Sequence, residues 1–176
     1  YKQDHFQFHW NQIYNNKLSS SLGLNYTYGR GYYEEFNDKW YDENYAFSGM
    51  TSFSNLGLNT ISFENLVISG ADNVTRKWLD NDFTGAIYSF ENLLDKAKFI
   101  LGGSYNIYKG KHFGNVIWSQ FMSDGLYPHR YYNNKSTKTD NNLYAKINYE
   151  FNQSISMFID VQSRNISYDF EGFDED

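Results

Sequence analysis

His5 and His9 stand four residues apart near the start of a 176-residue chain with four histidines and no cysteine. Such a pair is where metal chemistry would begin. On an extended strand the two imidazoles share a face about 13 Å apart, at roughly 3.3 Å per residue. One ion needs its ligands at about 2.1 Å, so the pair cannot hold it. His112 and His129 could meet in space, but no third ligand accompanies them. Solvated imidazoles are expected, with no resident metal and no cofactor.

Carboxylates come next. Asp80 and Asp82, or Glu34 and Glu35, could serve hydrolysis only if two carboxyl groups stood roughly 5–9.5 Å apart across a cleft. Nothing in their spacing fixes a cleft, and adjacent Glu34 and Glu35 point to opposite faces of a strand. A nucleophile is missing too, for there is no G-x-S-x-G and no Cys. The glycines of "GRGYYEE" (Gly29–Glu35) lack the spacing of a phosphate cradle and lead into no helix. They suit a strand relaxing at a rim. The expectation is that this is not an enzyme. Asn25, Asn73, Asn134, Asn152 and Asn165 each begin an N-x-S/T tripeptide, which an Asn/Ser-rich chain produces by chance. Asn152 falls in a tight turn, where Asn is favoured for its left-handed conformation.

Binding is better supplied. Arg30, Trp40, Tyr41, Arg76, Lys77, Trp118, Arg130, Tyr131 and Tyr132 combine ring faces for stacking with cations for pairing. Gathered at one mouth, they would suit an anionic small molecule or metal chelate. The competing role is anchorage of loops to each other and to a lipid or lipopolysaccharide rim, since Trp and Tyr belts mark membrane interfaces. Net charge is −6 and no basic cluster occurs, which excludes a nucleic-acid partner.

The elements that must position these residues are strands. Aromatics make up 20% of the chain and proline occurs once, a composition that favours sheet. Phe6, Phe8, Trp10 and Tyr14 alternate with His5, Gln7, His9 and Asn11. Leu18, Leu22, Leu24, Tyr26 and Tyr28 then alternate with Ser19, Ser21, Gly23, Asn25 and Thr27. Period-two alternation predicts strands at about 2–14, 18–30, 76–92, 97–108, 142–151 and 155–168. In 76–92 the two parities both carry apolar residues, Phe83 and Ile87 against Ala86, Tyr88 and Phe90, so its apolar side stays open.

Tight turns at 15–17, 94–96 and 152–154 alternate with long connections at about 31–75 and 109–141. Every long loop therefore falls at one end. Antiparallel barrels of the bacterial outer membrane are built this way, with short periplasmic turns and long outer loops. The polar side of the strands is Ser, Asn, Gly and Gln, unlike the Lys/Glu-rich solvent face usual in soluble sheets. An apolar side toward lipid and a polar side toward the pore are expected. Six strands are too few to close, so the expectation is an arc of a larger barrel in the bacterial outer membrane. The alternative is a soluble or surface β-sandwich that binds carbohydrate through Trp and Tyr.

Four stretches carry a resemblance: "NYTYGRGYYEEF" (Asn25–Phe36), "TRKWLDNDFTGAIYSFEN" (Thr75–Asn92), "LGGSYNIYKGKHFGNVIWSQF" (Leu101–Phe121) and "HRYYNNKSTKTDNNLYAKINYEF" (His129–Phe151). Together they resemble the barrel of a TonB-dependent receptor of the Bacteroidetes type, and the likeness spans essentially the whole chain. "GRGYYEE" and "RKWLDNDF" are its most specific phrases. The resemblance implies a 22-stranded outer-membrane transporter with an internal plug domain, driven by the TonB complex. Its ligands would be scarce and too large for porins, such as a ferric siderophore or cobalamin. The 176 residues contain neither plug nor TonB box, so these partners and the rest of the barrel are expected in a longer protein.

Overall fold

The computed structural model describes residues 1–38, 49–121 and 128–174. It is all-β, and the described residues form eight strands: β1 (Lys2–Asn15), β2 (Leu18–Asn37), β3 (Ile61–Phe63), β4 (Leu66–Ile68), β5 (Asn73–Leu93), β6 (Ala97–Ser119), β7 (His129–Asn152) and β8 (Ile155–Asp174). Six of them form one antiparallel sheet in the order β1-β2-β5-β6-β7-β8. The sheet does not close on itself: β1 and β8 are its two edges. Among the described residues no helix is long and apolar enough to cross a membrane, which says nothing of a membrane β-barrel.

The short turns owe their shape to side chains. Asn15 Oδ1 accepts from the amides of Lys17 and Leu18 at 2.8 and 2.9 Å, and Asn152 Oδ1 accepts from the Ser154 amide at 2.9 Å. These are Asx turns. Asn152 is therefore not left-handed as expected; among the described non-glycine residues only Glu64, at the β3–β4 turn, has positive φ. Lys17 ties the first turn to the second by an ion pair with Asp95 at 2.9 Å. The hydrogen bond from Lys17 holds the Asp95 carboxyl below the usual carboxylate range.

The long strands run well past the expected boundaries. The region expected as a loop at 109–141 is mostly strand, with β6 continuing to Ser119 and β7 beginning at His129. Likewise β2 continues to Asn37 and β5 starts at Asn73. Alternation disappears from these extensions because neither side needs to be greasy there. Backbone pairing continues regardless, for every strand already has a neighbour to extend along.

Register assigns the faces. Phe8, Leu24, Ala86, Tyr105, Asn141 and Asn165 form one row across the sheet. Rows on either side of it complete an apolar band: Phe6–Trp10, Leu22–Tyr28, Ala86–Phe90, Phe99–Ile107, Leu143–Tyr149 and Met157–Val161, alternate residues in each. This resolves β5, whose Ala86, Tyr88 and Phe90 join the band while Phe83 and Ile87 lie on the polar face. The band has no cover among the described residues; Phe6 is 63% and Val161 64% exposed. Among the described residues no second sheet packs on it, as a sandwich would require.

A small core lies instead on the polar face, at the end of the sheet opposite the tight turns. Residues 49–72, which carry two single helical turns and the β3–β4 hairpin, fold back onto Val116 and Tyr131. Phe53, Leu56, Leu58 and Ala71 are buried there. Asn73, fully buried, donates to the carbonyls of Met50 at 2.7 Å and Ala71 at 3.1 Å. His129 donates from Nε2 to the Leu56 carbonyl at 2.6 Å. The segment is thus pinned to the sheet at both its ends.

Candidate ligand-binding surface

The end of the sheet remote from the tight turns carries the candidate binding residues, and strand alternation divides them between two faces. Arg30, Arg76, Trp118 and Arg130 share the face of the apolar band, beyond its upper edge. Their rings and guanidinium groups form a ladder across four strands. Tyr32 meets Trp78 at 4.7 Å and Trp78 meets Phe113 at 5.9 Å between centroids. Arg76 lies 4.4 Å over Tyr32, Arg30 4.7 Å over Trp78 and Arg130 4.3 Å over Phe113. Trp118 joins Phe36 at 6.4 Å.

These cations are already engaged. Arg76 donates twice to Glu34, at 2.6 and 2.9 Å, and Arg30 stands 3.6 Å from Asp80. Cation–π contacts and exposed ion pairs of this kind are individually worth about 1 kcal/mol or less. Their continuity across neighbouring strands matters more than any single pair. Of the acids first considered for hydrolysis, Glu34 and Asp80 are partners in this ladder, whereas Asp82 accepts from Tyr26 at 2.6 Å. Glu34 and Glu35 do point to opposite faces, with Glu34 on Arg76 and Glu35 on Lys77.

Lys77 and Tyr132 lie on the polar face. Lys77 reaches Glu35 at 2.9 Å and stands 5.7 Å from the Tyr33 ring. Tyr131 is buried in the small core, with Tyr132 edge-on at 5.0 Å. Its hydroxyl is buried without a hydrogen bond of good geometry, Thr75 being the side chain that partly compensates it. Trp40 and Tyr41 lie outside the described residues. The candidates among the described residues therefore do not form a single mouth: one group shares the face of the band, one lies on the polar face and one is structural.

The polar face offers its own concavity. A depression of about 470 Å³ is bounded by Ser21, Ser89, Ser104, Asn142, Tyr144 and Gln162, with Lys146 and Asp160 at its side. Ser21 and Ser89 share a hydrogen bond of 2.7 Å, and Lys146 pairs with Asp160 at 3.3 Å. Close by, Arg164 clamps Asp140, donating from Nε and Nη2 to its two carboxylate oxygens. Such a surface can exchange hydrogen bonds with a polar ligand or a hydrophilic protein surface. Its alternating Ser and Asn residues were legible as a polar side, whereas Trp78, Tyr32 and Phe113 were missed as a cluster. Only the strand register brings those three together.

His5 bonds Thr27 at 2.9 Å, and among the described residues no group of three His or acidic side chains could hold a metal ion. His112 stands opposite Asn134 in the sheet while His129 is committed to Leu56. Comparison with protein-family models, with curated proteins and with solved structures yields no match to this chain.

Proposed function

We propose that this chain is a section of the wall of an outer-membrane β-barrel, in a transporter of the TonB-dependent type. Its ligand would be a scarce solute such as a ferric siderophore or cobalamin. The observation that carries the wall is the slant of the apolar band. Its centre descends by about three rows between β1 and β8, each row being two residues or about 6.8 Å. Across five inter-strand spacings of about 4.8 Å, that is a slope of about 40°. Strands in outer-membrane barrels tilt by about 35–45° from the membrane normal. A band that must lie level in the bilayer then crosses the hydrogen-bonded rows at this angle. A soluble sheet has no reason to slant its greasy stripe.

Side-chain size agrees. Of the glycines in the six strands only Gly103 falls on the apolar face. Side chains on the concave side of a curved sheet converge, so small residues belong on the face that looks into the lumen. The hydrocarbon-facing stretch of β6, Phe99–Ile107, rises about 20 Å along the normal once tilted, near the roughly 25 Å band of such barrels. The part of the reading that concerns active transport draws on the resemblance of "GRGYYEE" and "RKWLDNDF" to receptor barrels.

The test has two stages. After removal of peripheral proteins with urea, the protein should stay with the outer-membrane fraction and need detergent for release. Appearance in the soluble fraction would overturn the barrel. Cells lacking the gene should then lose energy-dependent uptake of a ferric siderophore or cobalamin, as cells lacking TonB do. Unchanged uptake of both would overturn that choice of ligands while leaving the barrel standing.

A further inference from the structure

The polar face holds a second concavity, nearer the long-loop end than the one bounded by Ser21, Ser89 and Ser104. A row across it reads Thr27, Phe83, Tyr108, Lys138 and Tyr168 from β2 to β8. On β5 to β8 these residues stand beyond Ala86, Ile107, Leu143 and Val161, where the apolar band of the other face ends. Phe83, Asn106, Tyr108, Lys138 and Asp140 bound a depression of about 420 Å³, within the roughly 300–1,000 Å³ of small-molecule sites. Phe83 and Tyr108 are half-buried and Tyr168 is 65% exposed. Among the described residues no ring or cation stacks on any of the three. The Tyr108 hydroxyl donates to Asn81 Oδ1 at 3.0 Å, which steadies its ring.

The cation in this row is as available as the rings. On the same face Lys77, Lys98 and Lys146 each hold an acid, Glu35, Glu91 and Asp160. Lys138 is exposed and makes no ion pair among the described residues. Its own row and the rows on either side contain one acid on this face, Asp140. Arg164 already occupies both oxygens of that carboxylate. An ammonium without a counter-charge, standing between two tyrosines, suits an anion with an aromatic body. The solutes of the proposed transport differ in these very properties. Iron(III) held by three catecholates is a trianion that carries three aryl rings. Held by three hydroxamates it is neutral and the chelating groups have no rings, and cyanocobalamin is neutral overall. The catecholate chelate alone offers both a ring to lie against Tyr108 or Tyr168 and oxygen charge for Lys138.

We infer that Phe83, Tyr108, Lys138 and Tyr168 form a lumen-side site for an anionic, aryl-bearing iron chelate, a ferric tris-catecholate. This rests on the proposed transport reading and narrows its solute. The protein, extracted from outer membranes in mild detergent, is titrated with a ferric tris-catecholate, a neutral ferric tris-hydroxamate and cyanocobalamin. Bound radiolabelled iron or cobalt is counted after filtration. Wild type should bind the catecholate at least about tenfold more tightly than either neutral solute, the factor expected from one charge-assisted contact. K138Q should lose about that factor for the catecholate alone, and K138R should keep it. Y168A should weaken the catecholate several-fold, whereas K135Q, on the opposite face of the same strand, should bind like wild type. Equal binding of catecholate and hydroxamate, or unchanged catecholate affinity in K138Q, would overturn the site. Preference for cyanocobalamin would overturn it while leaving the transport reading in place. Binding of none of the three would overturn both the site and the choice of solutes, and protein absent from the outer-membrane fraction would overturn the barrel.

Discussion

Tyr131 and Trp78 show how differently two large aromatics contribute. Tyr131 is 2% exposed and its hydroxyl lacks a well-formed hydrogen bond. A buried polar group in that condition costs about 1–3 kcal/mol. Tyr131→Phe should therefore leave stability unchanged or raise it by about 1 kcal/mol in a urea unfolding series in detergent. Trp78 links Tyr32, Phe113 and Arg30 across the sheet, partly buried. Trp78→Ala should lower stability by about 2 kcal/mol, less than full burial would cost, in the same series. The sequence marked Tyr131 as a candidate ligand contact only through its type, and it did not single out Trp78. Their actual roles depend on which strand lies beside them, and neighbours 35 or more positions away in the chain leave no local signal.

At the scale of the strand, alternation was legible wherever one side is greasy, and it located the tight turns correctly. It fell short at the far ends of β2, β6, β7 and β8, where neither side is consistently apolar and pairing alone maintains the extended backbone. It also left β5 undecided, because Phe83 and Ile87 are apolar residues on the polar face. The assignment of faces is open to a direct check. Leu101, near the middle of the band, and Ser104, on the other face of the same strand, are three residues apart. Leu101→Arg should lower stability by about 2–4 kcal/mol, the cost of a cation facing mid-bilayer in a barrel. Ser104→Arg should change it little. Comparable losses in folding titrations into lipid vesicles would overturn the assignment. A glycine provides a second check. A methyl at Gly103 would collide with the Asn142 carbonyl and the Tyr88 ring. Gly103→Ala should cost about 1–3 kcal/mol through displaced backbone, seen as a lower unfolding midpoint.

On the scale of the whole molecule, the six-stranded sheet is a surface with two unsatisfied demands. Its apolar band is open to whatever surrounds it, and β1 and β8 present unpaired backbone along their outer edges. Open edges of such length template further pairing. Expressed alone in buffer, this stretch should aggregate, and light scattering should show it; a stable monomer would contradict the lipid-facing band. Segment 49–72, anchored by Phe53, Leu56 and the His129–Leu56 hydrogen bond, narrows the polar side at one end. His129→Ala should expose that segment to protease, cutting its protection by about 1 kcal/mol for the lost hydrogen bond, while the six-stranded sheet stays intact.

By itself the sequence determined the all-β character, the antiparallel order of the long strands and the existence of one greasy and one polar side. These follow from local alternation and from turns of two or three residues, which each short segment carries within itself. The tertiary structure alone decided how far the strands extend, which parity of β5 joins the band, and that the candidate cations and aromatics divide between opposite faces. Those outcomes depend on register, and register is a relation between residues far apart in the chain: one step of slippage moves a side chain to the other face. The slant of the band belongs to this second kind, since it appears only when all six strands are aligned.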